Sequence, residues 1–547
     1  MAQNYDEERQ PLLQAQKLGN GITAYNQQES TADTLDPPLP DEPTTWECLK
    51  VMLGFWVGTF LAALDSTLVA TLTAAISDSF DSLSLLSWVA TGYLIANAAI
   101  QPLSGKLTDI YGRRAGFMFA ITFFTAGNVI CALAQKEWVM ILGRLVAGAG
   151  GGCLNTISTF VASDIIPLRR RGVWQGIANL NYGIGLSLGG VIGGWINDLV
   201  GWRWAFAVQV PLSVLCAIQV WFTVKIPVKD TPGSKLKRVD FLGSFVLVTA
   251  LILLLTGLNS GGNIVSWKHP LVLASLPLSL VFLMAFVYVE ARIATEPIIP
   301  MKQLSDRTVL AACFTLWFAS MAFHGLFFYA PIYFQLRGDS TSAAGTKLVP
   351  FSVGIGLGSI TAGMFMRKWG TYYWLNVSIM VILIGGYIGV SGLQLNSPIW
   401  PIMVCFFFIG FAYASMLTIT LTAFVAAVDH QYQAVITSAS YAFRSIGSTI
   451  GITIASTVFR NILTVELWSR LGHRKSAAEI IPKVRDRLDY VKSLRPSWRE
   501  PVLEIYGDAL SSVFLVLLGL AGVTALVSLL MKEHTLHTNL ARRSSTV

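Results

Sequence analysis

What this chain lacks first is charge. Only 13% of its 547 residues are Asp, Glu, Lys or Arg, about half of the ~25% that a soluble domain carries. That deficit excludes an ordinary cytosolic enzyme, a disordered scaffold and most nucleic-acid binders. Histidine is scarce too: six residues, none grouped with carboxylates, which argues against a membrane-embedded enzyme. The six cysteines (Cys48, Cys131, Cys153, Cys216, Cys313, Cys405) are scattered, mostly inside apolar runs. Without a CxxC or Cys/His spacing, neither a disulfide framework nor a metal site is indicated, and no cofactor is expected. A basic segment followed by a short apolar one is also missing from the start, so no cleaved leader is expected. Residues 1–48 instead hold nine acids against Arg9 and Lys17, with the breaker run Asp36-Pro37-Pro38-Leu39-Pro40. Such a segment buries too little apolar surface to offset its ordering entropy and is expected to be disordered.

What the chain has in abundance is apolar length. Hydrophobic residues make up 53% of it, and the mean hydropathy is +0.58. From Lys50 onward, apolar runs follow one another at the ~20 residues a bilayer crossing needs. They predict helices over 50–74, 85–105, 115–135, 138–162, 172–195, 204–226, 239–259, 270–290, 308–335, 345–366, 373–394, 398–426, 432–458 and 509–531, fourteen spans in all. The net charge of +8 is then read by location. With the N-terminus in the cytosol, cytosolic loops through the tenth span hold sixteen Lys or Arg, and opposite loops through the twelfth hold five. The positive-inside rule therefore predicts that both termini are cytosolic. The loop over 460–508 disagrees, with ten Lys or Arg on the far side, but seven acids balance it in part and late loops weigh less.

The loop after the second span reads Gly105-Lys106-Leu107-Thr108-Asp109-Ile110-Tyr111-Gly112-Arg113-Arg114. Its glycines permit tight turning, Asp109 can cap or pair across the loop, and Arg113 and Arg114 can meet a carboxylate or a helix C-terminus. A worn copy follows the tenth span, from Gly363 to Gly370 with Arg367 and Lys368 between, the glycines again seven apart. Two copies in corresponding places imply an internal repeat. The fourth span carries Arg144-Leu145-Val146-Ala147-Gly148, and the fifth carries Gly185, Gly189, Gly190, Gly193 and Gly194. Small residues four apart let helices approach backbone to backbone. The first span holds Leu64-Asp65-Ser66-Thr67, and Trp202-Arg203-Trp204 opens the sixth.

Together these segments resemble the signature loop, fourth-helix motif and antiporter motif of the major facilitator superfamily, in its fourteen-helix drug:proton antiporter branch. Gly190 stands where the antiporter motif has proline. The resemblance implies an all-α integral membrane fold: two six-helix bundles, over 50–226 and 301–531, joined by two extra helices over 227–300. Tails over 1–48 and 532–547 would flank them. It also implies a secondary transporter in which Gly105, Asp109, Gly112, Arg113 and Arg114 form a conformational-switch loop.

Ionisable groups that the bilayer would otherwise exclude mark function by default. Asp65, Arg144, His324 and Arg444 are four such groups. Asp65 and Arg144 lie ~13 Å and ~9 Å from the same, non-cytosolic face at ~1.5 Å per residue, within side-chain reach. They are expected to share one cavity and exchange partners during transport. The same pairing would also serve as a static brace between the first and fourth spans. His324 has an ordinary pKa near 6.5 and sits in an aromatic stripe, which fits either proton coupling or a plain core position. Arg444 suits a substrate carboxylate or another helix, and Asn155, Asn179 and Asn181 are candidate cavity groups or helix–helix hydrogen bonders.

Glu8-Arg9-Gln10-Pro11-Leu12-Leu13 looks like an acidic dileucine sorting signal, which implies an adaptor as partner and a vacuolar membrane in a fungus. With the other motifs, the chain most resembles fungal vacuolar transporters of amino acids, basic ones in particular, driven by protons leaving the vacuole. An alternative is a plasma-membrane drug or toxin exporter of the same branch. A more remote one is a nutrient sensor that keeps the fold without transporting.

Overall fold

The computed structural model describes residues 44–80, 83–166, 168–224, 240–261, 265–294, 304–339, 341–393, 397–428, 432–474, 476–486, 490–491 and 494–534. The expected sorting signal at Glu8, Leu12 and Leu13 lies outside them. Met1–Leu49 and Lys50–Val547 form separate compact units, described here by themselves. In the first, Thr44 and Glu47 cap reciprocally: the Thr44 N–H donates to Glu47 Oε2 at 2.8 Å and the Glu47 N–H to Thr44 Oγ1 at 3.3 Å. This capping box starts the first helix at Thr45, five residues before hydropathy alone places it.

The described elements are helices. The first half of the chain gives α1 (Thr45–Phe80), α2 (Leu83–Tyr111), α3 (Arg113–Leu133), α4 (Glu137–Ile165), α5 (Leu168–Val200), α6 (Trp202–Ala207) and α7 (Gln209–Thr223). A hairpin of α8 (Phe241–Ser260) and α9 (Pro270–Arg292) follows. The second half gives α10 (Arg307–Leu336), α11 (Thr341–Thr346), α12 (Val349–Trp369), α13 (Tyr373–Ser391), α14 (Ile399–Ala427), α15 (Gln433–Leu471), α16 (Ala477–Asp486) and α17 (Pro496–Ser528). Thirteen helical stretches are long and apolar enough to cross a bilayer, counting α6 with α7 and α11 with α12 as one span each. Helix α2 makes the fourteenth: at 29 residues it is long enough, but Asn97, Gln101 and Pro102 interrupt its apolar run.

Small residues set the packing. Helix α4 lies against α2 and α3, where a Cβ at Gly148 would sit 2.3 Å from the Tyr93 carbonyl oxygen and one at Gly150 2.4 Å from that of Ala120. Gly185 and Gly189 on α5 bring its backbone onto α1, with Cβ positions 2.7 Å from Phe60 O and 2.4 Å from Leu64 O. Only glycine fits such an approach, so these two are packing residues.

The halves of the chain meet along a seam of α5 on α12, α2 on α15 and α4 on α15. Gly172 and Gly363 face each other so closely that a Cβ on Gly363 would come within 2.3 Å of the Gly172 carbonyl carbon. Further along, the Asn179 amide donates to Ser359 Oγ at 2.9 Å, and Ser352 Oγ donates to the Gly183 carbonyl at 3.0 Å. Side chains bridge α15 to the other half: Ser445 to Gln101 at 2.6 Å, Thr159 to Tyr441 at 2.8 Å, and Arg171 to Gln433 at 3.3 Å. The seam is therefore shut at the end that carries Arg171, Arg367 and Lys368. On its flank, Val246, Leu247 and Leu251 of α8 pack with Ala99 of α2 and Ala439 of α15 in one buried cluster, so α8 touches both halves.

The described residues of 460–508 extend α15 and add a short helix that caps the second half. Helix α15 runs on to Leu471 because Leu463, Leu467 and Leu471 repeat at four and are fully buried. Ala477, Ile481 and Val484 then turn the apolar face of α16 into the same core. Tyr506 donates to the Val484 carbonyl at 2.6 Å and Arg474 to that of Ser497 at 2.5 Å, so α16 caps the end of the second half. Helix α17 accordingly begins at Pro496, thirteen residues before the apolar run that predicts it.

Candidate functional site

Three polar clusters interrupt the apolar interior. In the first, Arg144 Nη1 meets Asp65 Oδ2 at 2.7 Å, with side-chain exposures of 1% and 0%. Arg144 Nε donates to the Val89 carbonyl at 3.1 Å, and the guanidinium lies 4.4 Å from the centre of the Tyr93 ring. The second Asp65 oxygen accepts from Gln209 Nε2 at 3.3 Å. Helices α1, α2, α4 and α7 thus each give a group to one sealed pair. Removing one partner of such a pair leaves an unpaired buried charge, costing about 3–5 kcal/mol.

The second cluster lies on the seam. Arg444 projects from α15 with its guanidinium 4.9 Å from the Tyr441 ring and 5.7 Å from that of Tyr182 on α5. It lines a cavity with Gln175, Asn179, Leu316, Leu417, Thr420, Ser440 and Tyr441. The space is about 20 Å3, enough for one water and too small for an amino acid, as befits a closed seam. Gln175 donates to Asn179 Oδ1 at 3.1 Å, so the cavity wall on α5 is already a hydrogen-bonded network.

The third cluster stands where α2 turns into α3. Arg113 bridges two carboxylates, Asp109 Oδ1 and Asp164 Oδ2, each at 2.7 Å. Its Nη1 also donates to Thr108 Oγ1 at 3.0 Å. Gly112 between the helices has φ 96° and ψ 152°. Arg114 points elsewhere, lying 4.4 Å over the Trp221 ring. In the worn copy, Gly370 ends α12 with φ 70° and ψ 11°, so a glycine at positive φ closes the corresponding helix in each half.

The remaining candidates separate. His324 bonds within its own helix, Nδ1 to the Ser320 carbonyl at 3.0 Å, and sits edge-on to Phe323 and Tyr413. It belongs to neither ion pair. Asn181 turns away from the seam and donates to the Trp56 carbonyl at 2.6 Å and to Thr59 at 3.3 Å. Asn179 is the asparagine that lines the cavity, and Asn155 contributes its carbonyl to Thr159 at 3.3 Å. Sequence reasoning missed Gln209, Tyr93, Tyr182 and Asp164. Gln209 was findable as a polar residue in an apolar run, whereas tyrosines in such runs raise no signal.

The sequence profile described as Major Facilitator Superfamily matches residues 55–452. The chain is similar to multidrug resistance protein fnx1 of Schizosaccharomyces pombe, at 36% identity over 90% of this chain and 94% of that one. It is also similar to the vacuolar membrane amino acid uptake transporter fnx2 of the same yeast, at 32% identity over 86% and 82%. Vacuolar basic amino acid transporter 1 of Saccharomyces cerevisiae shares 29% identity over 93% and 96%. Among solved structures, a bacterial homologue of the human lysosomal transporter Spinster, inward-facing and occupied, superposes with a TM-score of 0.56. It has 16% identity and covers 89% of this chain and 97% of that one.

Proposed function

Because the chain belongs to the Major Facilitator Superfamily, we propose that it is a proton-coupled secondary transporter carrying amino acids, basic ones in particular, from the cytosol into the vacuole. The observation that carries the coupling is the sealed Asp65–Arg144 pair at 2.7 Å. Protonation of Asp65 from the acidic compartment releases Arg144 and loosens α1 from α4; deprotonation restores the pair. A cationic substrate head competes with Arg144 for the same carboxylate, which links proton and solute. Both termini face the cytosol in this reading, and an adaptor reads the tail at Glu8, Leu12 and Leu13. The chain then divides into an acidic tail (1–48), two six-helix bundles (50–226 and 301–531), a linking pair (227–300) and a short second tail (532–547). Arg113 with Asp109 and Asp164 holds the switch loop shut at the cytosolic end. Resemblance to vacuolar amino acid transporters supports the substrate class.

Reconstituted vesicles with an acidic interior give the test. Asp65→Asn is expected to abolish proton-driven lysine accumulation. The double variant Asp65→Asn, Arg144→Gln removes both buried charges and so protects folding. It is expected to keep lysine counterflow without a pH gradient, at a raised KM because the carboxylate that meets the cationic head is gone, and to lose accumulation with a gradient. Full accumulation by the double variant would sink the coupling role. The 36% identity to a multidrug resistance protein favours a second reading, drug:proton export at the plasma membrane. Leu12→Ala with Leu13→Ala should move a vacuolar protein to the cell surface and leave a plasma-membrane exporter where it is.

A further inference from the structure

Two arginines of the helical interior have carboxylates built in: Asp65 stands at 2.7 Å from Arg144, and Asp109 and Asp164 stand at 2.7 Å from Arg113, whereas the ion pairs of Arg470 lie at the surface. Arg444 differs. No Asp or Glu among the described residues pairs with it; its neighbours are tyrosines, with the rings of Tyr441 and Tyr182 against the guanidinium, the Tyr182 side chain hydrogen-bonded to it, and Tyr413 close by. It lies eleven residues along α15 from Gln433, ~16 Å at the helical rise, deep within a bilayer-spanning element. A guanidinium at that depth calls for an anion or for water. Aromatic faces attract it through their quadrupoles but supply no full negative charge, and a carboxylate meeting its two-pronged fork is the stronger partner. The rest of the wall (Gln175, Asn179, Thr420, Ser440) offers hydrogen bonds and no competing anion.

Tyr182 comes from the other side of the seam. In the closed seam it stands 5.7 Å from the Arg444 guanidinium, and the adjoining cavity holds only about 20 Å3. We infer that Arg444 seats the carboxylate of the transported solute when the seam is open, and that Tyr182 displaces it as the seam closes. The α-carboxylate of an amino acid is the ligand group, an assignment that rests on the amino-acid reading above. Affinity for the carboxylate then differs between the two states, and only such a difference lets a ligand bias the equilibrium.

The full-length protein in nanodiscs tests this with lysine, lysine methyl ester and cadaverine. Lysine should bind the wild type about tenfold or more tighter than either analogue, as one charge-assisted hydrogen bond requires. Arg444→Gln should bind all three alike, Arg444→Lys should keep part of the preference, and Tyr182→Ala should tighten lysine alone. A lysine preference surviving in Arg444→Gln overturns the assignment, as does equal binding of lysine and its ester by the wild type. A second arm needs no ligand: Gln175→Glu places a carboxylate in the cavity. It should raise Tm in the wild type and lower it in Arg444→Gln, where the carboxylate is buried without a cation. An equal rise in both overturns the vacancy. If no amino acid binds the wild type, the amino-acid reading fails, and the Gln175→Glu comparison alone decides whether Arg444 awaits an anion.

Discussion

At the scale of single residues, two glycines with one apparent job have different backbones. Gly112 sits at φ 96°, ψ 152°, and Gly370 at φ 70°, ψ 11°. The second is the left-handed region that Asn also visits, whereas the first belongs almost to glycine alone. Gly370→Asn should therefore leave thermal stability nearly unchanged, while Gly112→Asn should cost about 1–3 kcal/mol, read as a lowered Tm in detergent. Equal effects would mean that helix capping, not backbone geometry, keeps both glycines. The ionic residues show what one chain discloses by itself. Asp65, Arg144 and Arg444 were legible because the bilayer penalises charge, so each demanded a reason. Their surroundings were not: Tyr182 and Tyr441 look like ordinary members of apolar runs, and only the fold brings them to Arg444. Of the two roles open to Asn181, the structure shows the helix–helix bond, since it lies two positions after Asn179 and about 200° of helical turn at 3.6 residues per turn sends it to α1.

At the scale of elements, hydropathy located the spans well and their ends poorly. Averages over a window see composition, not which face a residue is on. Leu463, Leu467 and Leu471 form a buried stripe in a mixed sequence, so α15 extends thirteen residues past its apolar core. Period, not mean hydropathy, carried that information. The stripe makes a direct contrast available. Leu467 is fully buried and Val465, two residues earlier, is 58% exposed. Leu467→Ala should cost about 2–5 kcal/mol, whereas Val465→Ala should stay within about 0.5 kcal/mol. Thermal denaturation of the two purified variants reads the difference; parity would show that α16 does not seat on this stripe.

At the scale of the whole molecule, the seam is narrow where Gly172 meets Gly363 and offers no room for a side chain. Gly363→Leu should therefore hold the halves apart at that end. A cysteine placed at Gln175 should then react with a maleimide several-fold faster than in the Gly363 parent, while transport falls. Unchanged labelling would mean that the seam closes by another route. The C-terminal strap works in the opposite sense. Glu533 caps α13 by accepting from the Tyr372 and Tyr373 N–H groups, both at 2.8 Å, and His534 reaches Thr308 on α10 at 3.2 Å. These bonds join three helices of one half, so they stiffen that half without spanning the seam. Helix α8 does span it, with Val246, Leu247 and Leu251 against both α2 and α15. Opening the seam peels these side chains from one half, yet inside a bilayer lipid tails replace the lost contacts almost in kind, because they are as apolar as leucine. For these side chains, then, the exchange costs little free energy. What it adds is friction: acyl chains must flow into the gap and out again in each cycle, so the turnover rate follows membrane fluidity while the affinity for solute does not.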